Sequence, residues 1–274
     1  MLTGKKFRLA RLLHQKSRKM VLVPLDHGMS SGPIPGLEAP GKVLRAVVHG
    51  GAQGVIVNRG VALNGGMDPD TALPWILHLS GSTALSLDPD HKVLVAAVED
   101  ALRLGADAVS VHVNLGVPRE AEMLRDLGEI AGRCVQWGMP LMAMLYVRWA
   151  RAQHGSVADT IKHAARVAAE LGADLVKVSY PGSREGLVEV VQGCFIPILI
   201  AGGERDRSDR RVLEMVESAI TCGAAGVCIG RNIFQHPSPQ LFLRALGRIV
   251  HDGVSADVAV ELASDSPTLA HGRA

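Results

Sequence analysis

The chain has 274 residues, 47% of them hydrophobic and 3% aromatic, with a net charge of +2. That near balance gives no electrostatic case for nucleic acid or an anionic membrane as partner. No uncharged apolar run reaches the ~18 residues of a membrane span. The size suits one large core, and α/β barrels of this length form one domain.

Residues 1–20 are basic and lack the apolar centre of a signal peptide. They are expected to form a short helical lead-in over the base of the fold. Eight strand candidates follow: Val21 to Asp26, Gly54 to Val57, Ile76 to Ser80, Ala108 to Val113, Pro140 to Tyr146, Leu175 to Val178, Pro197 to Ala201 and Gly226 to Ile229. Gly-Ala pairs at Gly51-Ala52, Gly105-Ala106, Gly172-Ala173 and Gly223-Ala224 precede four of them and follow amphipathic stretches. Glycine there closes a helix, and a buried parallel strand follows. A spacing of roughly thirty residues is that of a β/α unit. Eight such units predict an α/β fold, a (β/α)8 TIM barrel over residues 21–253, with 254–274 as a tail that frays after Glu261. A doubly wound sheet would want G-x-G-x-x-G after its first strand. The run Asp26-His27-Gly28-Met29-Ser30-Ser31-Gly32-Pro33 is no such fingerprint.

Cys134, Cys194, Cys222 and Cys228 are scattered, with no CxxC pair. They read as reduced thiols of a cytoplasmic protein. His27, His78 and His112 with Asp26 lack the spacing of a zinc site, so no metal is expected.

The chain has eight lysines against 21 arginines, and Lys177 stands alone in an apolar strand. Burial disfavours its charged form, which predicts a lowered pKa and an amine largely neutral near pH 7 that attacks carbonyls. The structural alternative is a lysine that snorkels or pairs with a carboxylate. Strand alternation puts Leu175, Lys177 and Ser179 on one face. It likewise groups Ser110, His112 and Asn114, and Met142, Met144 and Tyr146. Asp26 and His27 end the first strand. Catalytic groups of a barrel lie at these C-terminal ends, so Asp26, His112, Tyr146 and Lys177 are expected on one rim. Singly, each has a plainer role: a loop cap, a hydrogen-bonded interior histidine, a packed tyrosine. Together they supply the amine and the proton shuttles that Schiff-base chemistry needs.

Gly202 and Gly203 end the seventh strand, and Gly230 and Arg231 the eighth. Exposed backbone N–H groups and a guanidinium there suit a phosphate, although glycines also serve tight turns.

The stretch Pro24-Leu25-Asp26-His27-Gly28, followed by Gly32-Pro33-Ile34-Pro35-Gly36, resembles the first-strand motif of the archaeal-type class I (Schiff-base) aldolases. Within that family the likeness is to the 2-amino-3,7-dideoxy-D-threo-hept-6-ulosonate synthase group and its bacterial grixazone-pathway relatives. Supporting stretches are His78-Leu79-Ser80-Gly81, Gly105 to Asn114, Trp137-Gly138-Met139-Pro140-Leu141 and Gly226 to His236. The resemblance implies that Lys177 forms the Schiff base, that Tyr146 donates protons and that Asp26 is the other acid/base. It implies phosphate binding at Gly202, Gly203, Gly230 and Arg231. His27, Ser179 and Arg148 stand as further substrate-binding residues, with Arg148 and Arg151 as a candidate second cationic site. No cofactor is expected. The implied substrates are a phosphorylated ketone, such as dihydroxyacetone phosphate, and L-aspartate 4-semialdehyde. A cytoplasmic homo-oligomer is implied, a decamer among its forms. Alternatives are fructose-bisphosphate cleavage, thiolase-like acyl transfer, or a barrel that binds phosphorylated metabolites without turnover. Val147 stands where the archaeal enzymes carry proline, so the loop over the site differs.

Overall fold

The computed structural model describes residues 3–67, 69–148 and 155–264. A helix, α1 (Thr3–Arg11), leads into β1 (Met20–Pro24), α2 (His27–Ser31), α3 (Pro40–Gly50), β2 (Gly54–Val57) and α4 (Arg59–Asn64). Next come β3 (Trp75–His78), the two-residue strands β4 (Ser80–Gly81) and β5 (Val93–Leu94), α5 (Val98–Leu104), β6 (Ala108–Leu115) and α6 (Glu120–Trp137). The second half runs β7 (Leu141–Val147), α7 (Val157–Glu170), β8 (Leu175–Val178), α8 (Arg184–Gln192), β9 (Ile198–Ala201), α9 (Asp209–Thr221), β10 (Gly226–Cys228), α10 (Arg231–Phe234), α11 (Pro239–Asp252) and α12 (Ala256–Ser264).

Eight strands close a parallel barrel in the order β1-β2-β3-β6-β7-β8-β9-β10, with β10 returning to β1. Every strand expected from the sequence is present. The third is shorter than expected: it stops at His78, and β4 then pairs antiparallel with β5 as an arm at the barrel mouth.

Alternation builds two cores. Val109, Val111 and Val113 of β6 and Val176 and Val178 of β8 face outward under the helices. Ile76, Met142, Met144, Leu175 and Leu199 fill the interior, which Leu12 plugs from the base. The Gly-Ala pairs act as predicted. Gly51 and Gly105 cap α3 and α5 with φ of 81° and 79°, a left-handed conformation open to glycine at little cost.

The residue after three of these pairs ties down the neighbouring strand. Gln53 accepts the Val21 N–H at 2.9 Å, Asp107 that of Trp75 at 3.1 Å and Asp174 that of Leu141 at 2.9 Å. The lead-in helix then docks on the two carboxylates among them: Lys5 reaches Asp174 at 2.8 Å and Arg11 reaches Asp107 at 2.5 Å. It lies over the base of the barrel.

The C-terminal boundary needs correction. Residues 256–264 are not a loose tail but the helix α12, whose Ala259 is fully buried and which packs on α9 and α11. Ala256, Ala259, Val260 and Ala263, at helical spacing, give it that buried face. Fraying beyond Ser264 falls outside the described residues.

Candidate active site

All the residues singled out on the rim line one cavity of about 370 Å³ at the C-terminal ends of the strands. Asp26, His27, His112, Tyr146, Arg148, Lys177, Ser179, Gly202, Gly203, Gly230 and Arg231 all border it. Arg151 lies outside the described residues. Lys177 is 5% exposed. Its strand partner is Met144, two residues below Tyr146 on β7, so lysine and tyrosine project inward side by side. The Lys177 Nζ lies 6.0 Å from the centre of the Tyr146 ring.

The charge state of Lys177 reverses the sequence expectation. Burial alone would lower its pKa. Cys228, Tyr146 and Asp26 outweigh burial and raise it above the ordinary lysine value. Of the three, Asp26 is the anion near neutral pH and favours the ammonium, whereas Cys228, its thiol pushed up by burial, adds to the shift only once it ionises. The valines named in the sequence argument lie on the opposite strand face, toward the helices, and leave the Nζ among polar groups.

Asp26 follows β1 at the N-cap position of α2 but makes no capping hydrogen bond, so capping does not explain it. Burial would raise its pKa. Contact with His27 and the charges of His78, His27 and Lys177 outweigh that and hold it far below the usual carboxylate range. His27 Nδ1 lies 3.3 Å from Asp26 Oδ1 but off the hydrogen-bond direction. His78 Nε2 lies 3.8 Å from Asp26 Oδ2. Asp26 thus stays a carboxylate beside the Lys177 ammonium.

His112 is held by Asn114, whose Oδ1 is 3.0 Å from its Nε2, and packs on the Tyr146 ring at 4.9 Å between centroids. Burial, then the charges of Lys92 and His78, push its pKa well below the ordinary histidine value. His78 is also lowered, chiefly by burial, with Asp26 opposing the shift. Two neutral imidazoles therefore share the cavity with an ammonium and a carboxylate.

Opposite them, the turns after β9 and β10 approach closely. A Cβ on Gly202 would stand 2.7 Å from Ile229 Cγ2, and one on Gly230 would stand 2.8 Å from Pro24 O. Asn232, fully buried, knits the two turns together. Its Nδ2 donates to Gly202 O at 2.8 Å and Glu204 O at 3.0 Å, and its Oδ1 accepts from Asp206 N at 2.8 Å. Arg231 borders the cavity, with a buried Nε that has no hydrogen-bond partner.

Three lining residues carry chemistry that the sequence reading did not assign. His78 shares the inward face of β3 with Ile76, and strand parity alone would have found it. Its Nδ1 pairs with Ser110 Oγ at 2.8 Å. Cys228 ends β10 beside Lys177, and burial pushes its thiol up to about 11. Lys92 precedes β5, and its burial depends on the mouth arm, which has no sequence signature of its own. Among the described residues, no group of three or more His, Cys, Asp or Glu side chains is placed to hold a metal ion.

Residues 20–236 match the DeoC/LacD family of aldolases. The chain is 37% identical to a 2-amino-4,5-dihydroxy-6-oxo-7-(phosphonooxy)heptanoate synthase of Streptomyces griseus over 91% of both sequences. It is 41% identical to a 2-amino-3,7-dideoxy-D-threo-hept-6-ulosonate synthase of Archaeoglobus fulgidus over 94% of this chain and 95% of the other. An archaeal fructose 1,6-bisphosphate aldolase of known structure superposes with a TM-score of 0.84 at 30% identity, covering 91% of this chain and all of that one. With its inward lysine, its tyrosine and its closed eight-stranded barrel, this chain belongs to the DeoC/LacD family of aldolases.

Proposed function

We propose that this protein is a Schiff-base aldolase that joins dihydroxyacetone phosphate, or a related ketose phosphate, to L-aspartate 4-semialdehyde. The observation that carries the chemistry is Lys177, buried beside Tyr146 and Asp26 in the cavity. The substrates are supported by the product named for the S. griseus relative. Cut between C4 and C5, that product divides into an amino-acid aldehyde and a triose phosphate. The product named for the A. fulgidus relative has no oxygen at C7 and so asks for a different donor. The Gly202, Gly203, Gly230 and Arg231 corner supports the phosphorylated one. Fructose-bisphosphate aldolases are more distant in sequence, and a barrel that binds without turnover does not fit a family of aldolases.

In this reading the Lys177 ammonium first gives up a proton, and the neutral imidazoles of His78 and His112 are the free bases at hand. The amine adds to the donor carbonyl. Tyr146 protonates the carbinolamine hydroxyl, water leaves, and an iminium forms. Removal of a proton from the adjacent CH₂OH carbon gives the enamine, with Asp26 holding the positive nitrogen beforehand. The enamine carbon attacks the aldehyde, the new alkoxide takes a proton, and water hydrolyses the product iminium to free Lys177. Ser179 and His27 border the donor. A cytoplasmic homo-oligomer belongs to the same proposal, and light scattering tests the assembly.

The test is trapping. Dihydroxyacetone phosphate with sodium borohydride should add the reduced donor to the peptide carrying Lys177, and Lys177→Arg should abolish the adduct, because guanidinium stays protonated. A label elsewhere, or full turnover in Lys177→Arg, sinks the mechanism.

A further inference from the structure

The cavity has a second cationic corner. The barrel order sets β3, β6 and β7 across from β9 and β10. Lys92, on the arm that follows β3, and Arg148, just past β7, both line the cavity on that far side. Lys92 is 9% exposed, and its Nζ donates to Ser82 Oγ and, at 3.1 Å, to Pro89 O. Both acceptors are neutral, so no carboxylate hydrogen-bonds the ammonium among the described residues, and it has one donor to spare. Arg148 is 2.8 Å from Asp90 through a buried Nε that makes no aligned hydrogen bond. Asp90 is set in place by its backbone: the buried Asn114 donates to Asp90 O at 2.6 Å while it holds His112. The corner is thus built into the same network as the catalytic face. The two cations also feel one another. Burial, then the charge of Arg148, lowers the Lys92 pKa against the opposing pull of Asp90 and Asp26, and a bound anion relieves the repulsion between the two cations.

We propose that Lys92 and Arg148 hold the carboxylate of the aldehyde acceptor while Asp90, at the rim, takes its α-ammonium, so that the site selects an amino-acid aldehyde over a phosphorylated one. This rests on the aldolase reading above and adds the acceptor's recognition to it. The position fits: Arg148 Cζ stands 5.9 Å from the centre of the Tyr146 ring, and Lys177 Nζ stands 6.0 Å from the same centre. A short acceptor with its aldehyde carbon at Tyr146 therefore turns its far end to this corner. The charges select as well. A phosphate dianion there would face the Asp90 carboxylate, whereas a zwitterion meets two cations with its carboxylate and one anion with its ammonium.

The experiment uses the full chain with dihydroxyacetone phosphate as donor. Lys92→Met should raise KM for L-aspartate 4-semialdehyde about tenfold or more, the loss expected for a charged hydrogen bond. KM for glycolaldehyde, which has no carboxylate, should move far less. Lys92→Arg, which keeps the cation, should recover most of the affinity. Asp90→Asn should raise KM for L-aspartate 4-semialdehyde more than for succinate semialdehyde, which lacks the amino group. Equal KM shifts for charged and uncharged aldehydes in Lys92→Met overturn the carboxylate role, and equal shifts for the two semialdehydes in Asp90→Asn overturn the ammonium role. Borohydride trapping of the donor on the wild-type protein separates the two readings. No adduct removes the aldolase mechanism and this inference with it, whereas an adduct with an unchanged acceptor KM in Lys92→Met removes this inference alone.

Discussion

Lys177 and Tyr146 project from adjacent strands onto the same inner face, with the lysine Nζ 6.0 Å from the centre of the tyrosine ring. Tyr146 is also among the groups that raise the Lys177 pKa, so the protonation of the two side chains is coupled. A positioned acid–base group typically contributes about 10²–10⁴-fold to rate. Tyr146→Phe keeps the ring against His112 and removes only the hydroxyl. Its kcat should fall by that order while its melting temperature stays close to wild type. A near-wild-type kcat would reduce Tyr146 to packing and leave Asp26 as the remaining shuttle.

Asp26 should influence when Lys177 becomes a nucleophile. The carboxylate stabilises the ammonium, so adduct formation should rise with pH as the proton is lost. Asp26→Asn removes that anion. The Lys177 pKa then falls, and the rise in adduct formation moves to lower pH. Borohydride-trapping rates across a pH series measure the shift. An unmoved profile would show that Asp26 does not set the lysine's charge.

Arg231 should act on the donor's phosphate. A hydrogen bond to a charged group contributes about 1.5–3 kcal/mol. Arg231→Ala should therefore raise KM for dihydroxyacetone phosphate about tenfold or more and barely alter KM for dihydroxyacetone. Equal effects on both donors would reject the assignment.

Much of this was legible in the sequence because a barrel turns linear alternation into radial position. A residue's parity on β6, β7 or β8 decides whether it meets the helices or the cavity, and its distance along the strand decides its height. Lys177, His112 and Tyr146 could be placed on those grounds. The charge on Lys177 could not. Its strand neighbours Val176 and Val178 are close in sequence but face away, while Asp26, the carboxylate that favours the ammonium, comes from the end of β1. Lys92 was hidden for a similar reason, since a loop lysine becomes buried only when β4 and β5 pair. The helix α12 was missed because its apolar face is built from small residues, Ala256, Ala259 and Ala263 with Val260, and becomes buried only by packing on α9 and α11.

The turn after β10 tolerates no side chain. A Cβ on Gly230 would meet Pro24 O at 2.8 Å and His27 Cε1 at 3.0 Å. Gly230→Ala should push the β1 end and His27 away, costing about 1–3 kcal/mol of stability by overpacking. Because Asp26 adjoins both, activity should fall further than stability does. Thermal melts paired with turnover at a temperature where the variant stays folded separate the two effects.

The base of the barrel should show an acid-sensitive stability of its own. His251 joins the lead-in to the barrel: its Nδ1 is 2.8 Å from Ser17 Oγ, its Nε2 is 2.8 Å from Gln53 Oε1, and its ring stacks on His14 at 4.1 Å. Gln53 Oε1 also accepts the Val21 N–H, so His251 must donate through Nε2. Burial first, then the charges of His14 and Lys19, lowers its pKa to about 4, against the opposing pull of Asp252. An ordinary histidine titrates near 6.5. Between these values the unfolded chain binds the proton and the folded one does not, so stability rises with pH there. The contribution is complete above about pH 6.5, shrinks as pH falls, and is gone below about 4. His251→Gln cannot titrate. Its melting temperature should therefore decline less steeply than that of wild type between pH 6.5 and 4, and parallel declines would show that His251 is not the group responsible.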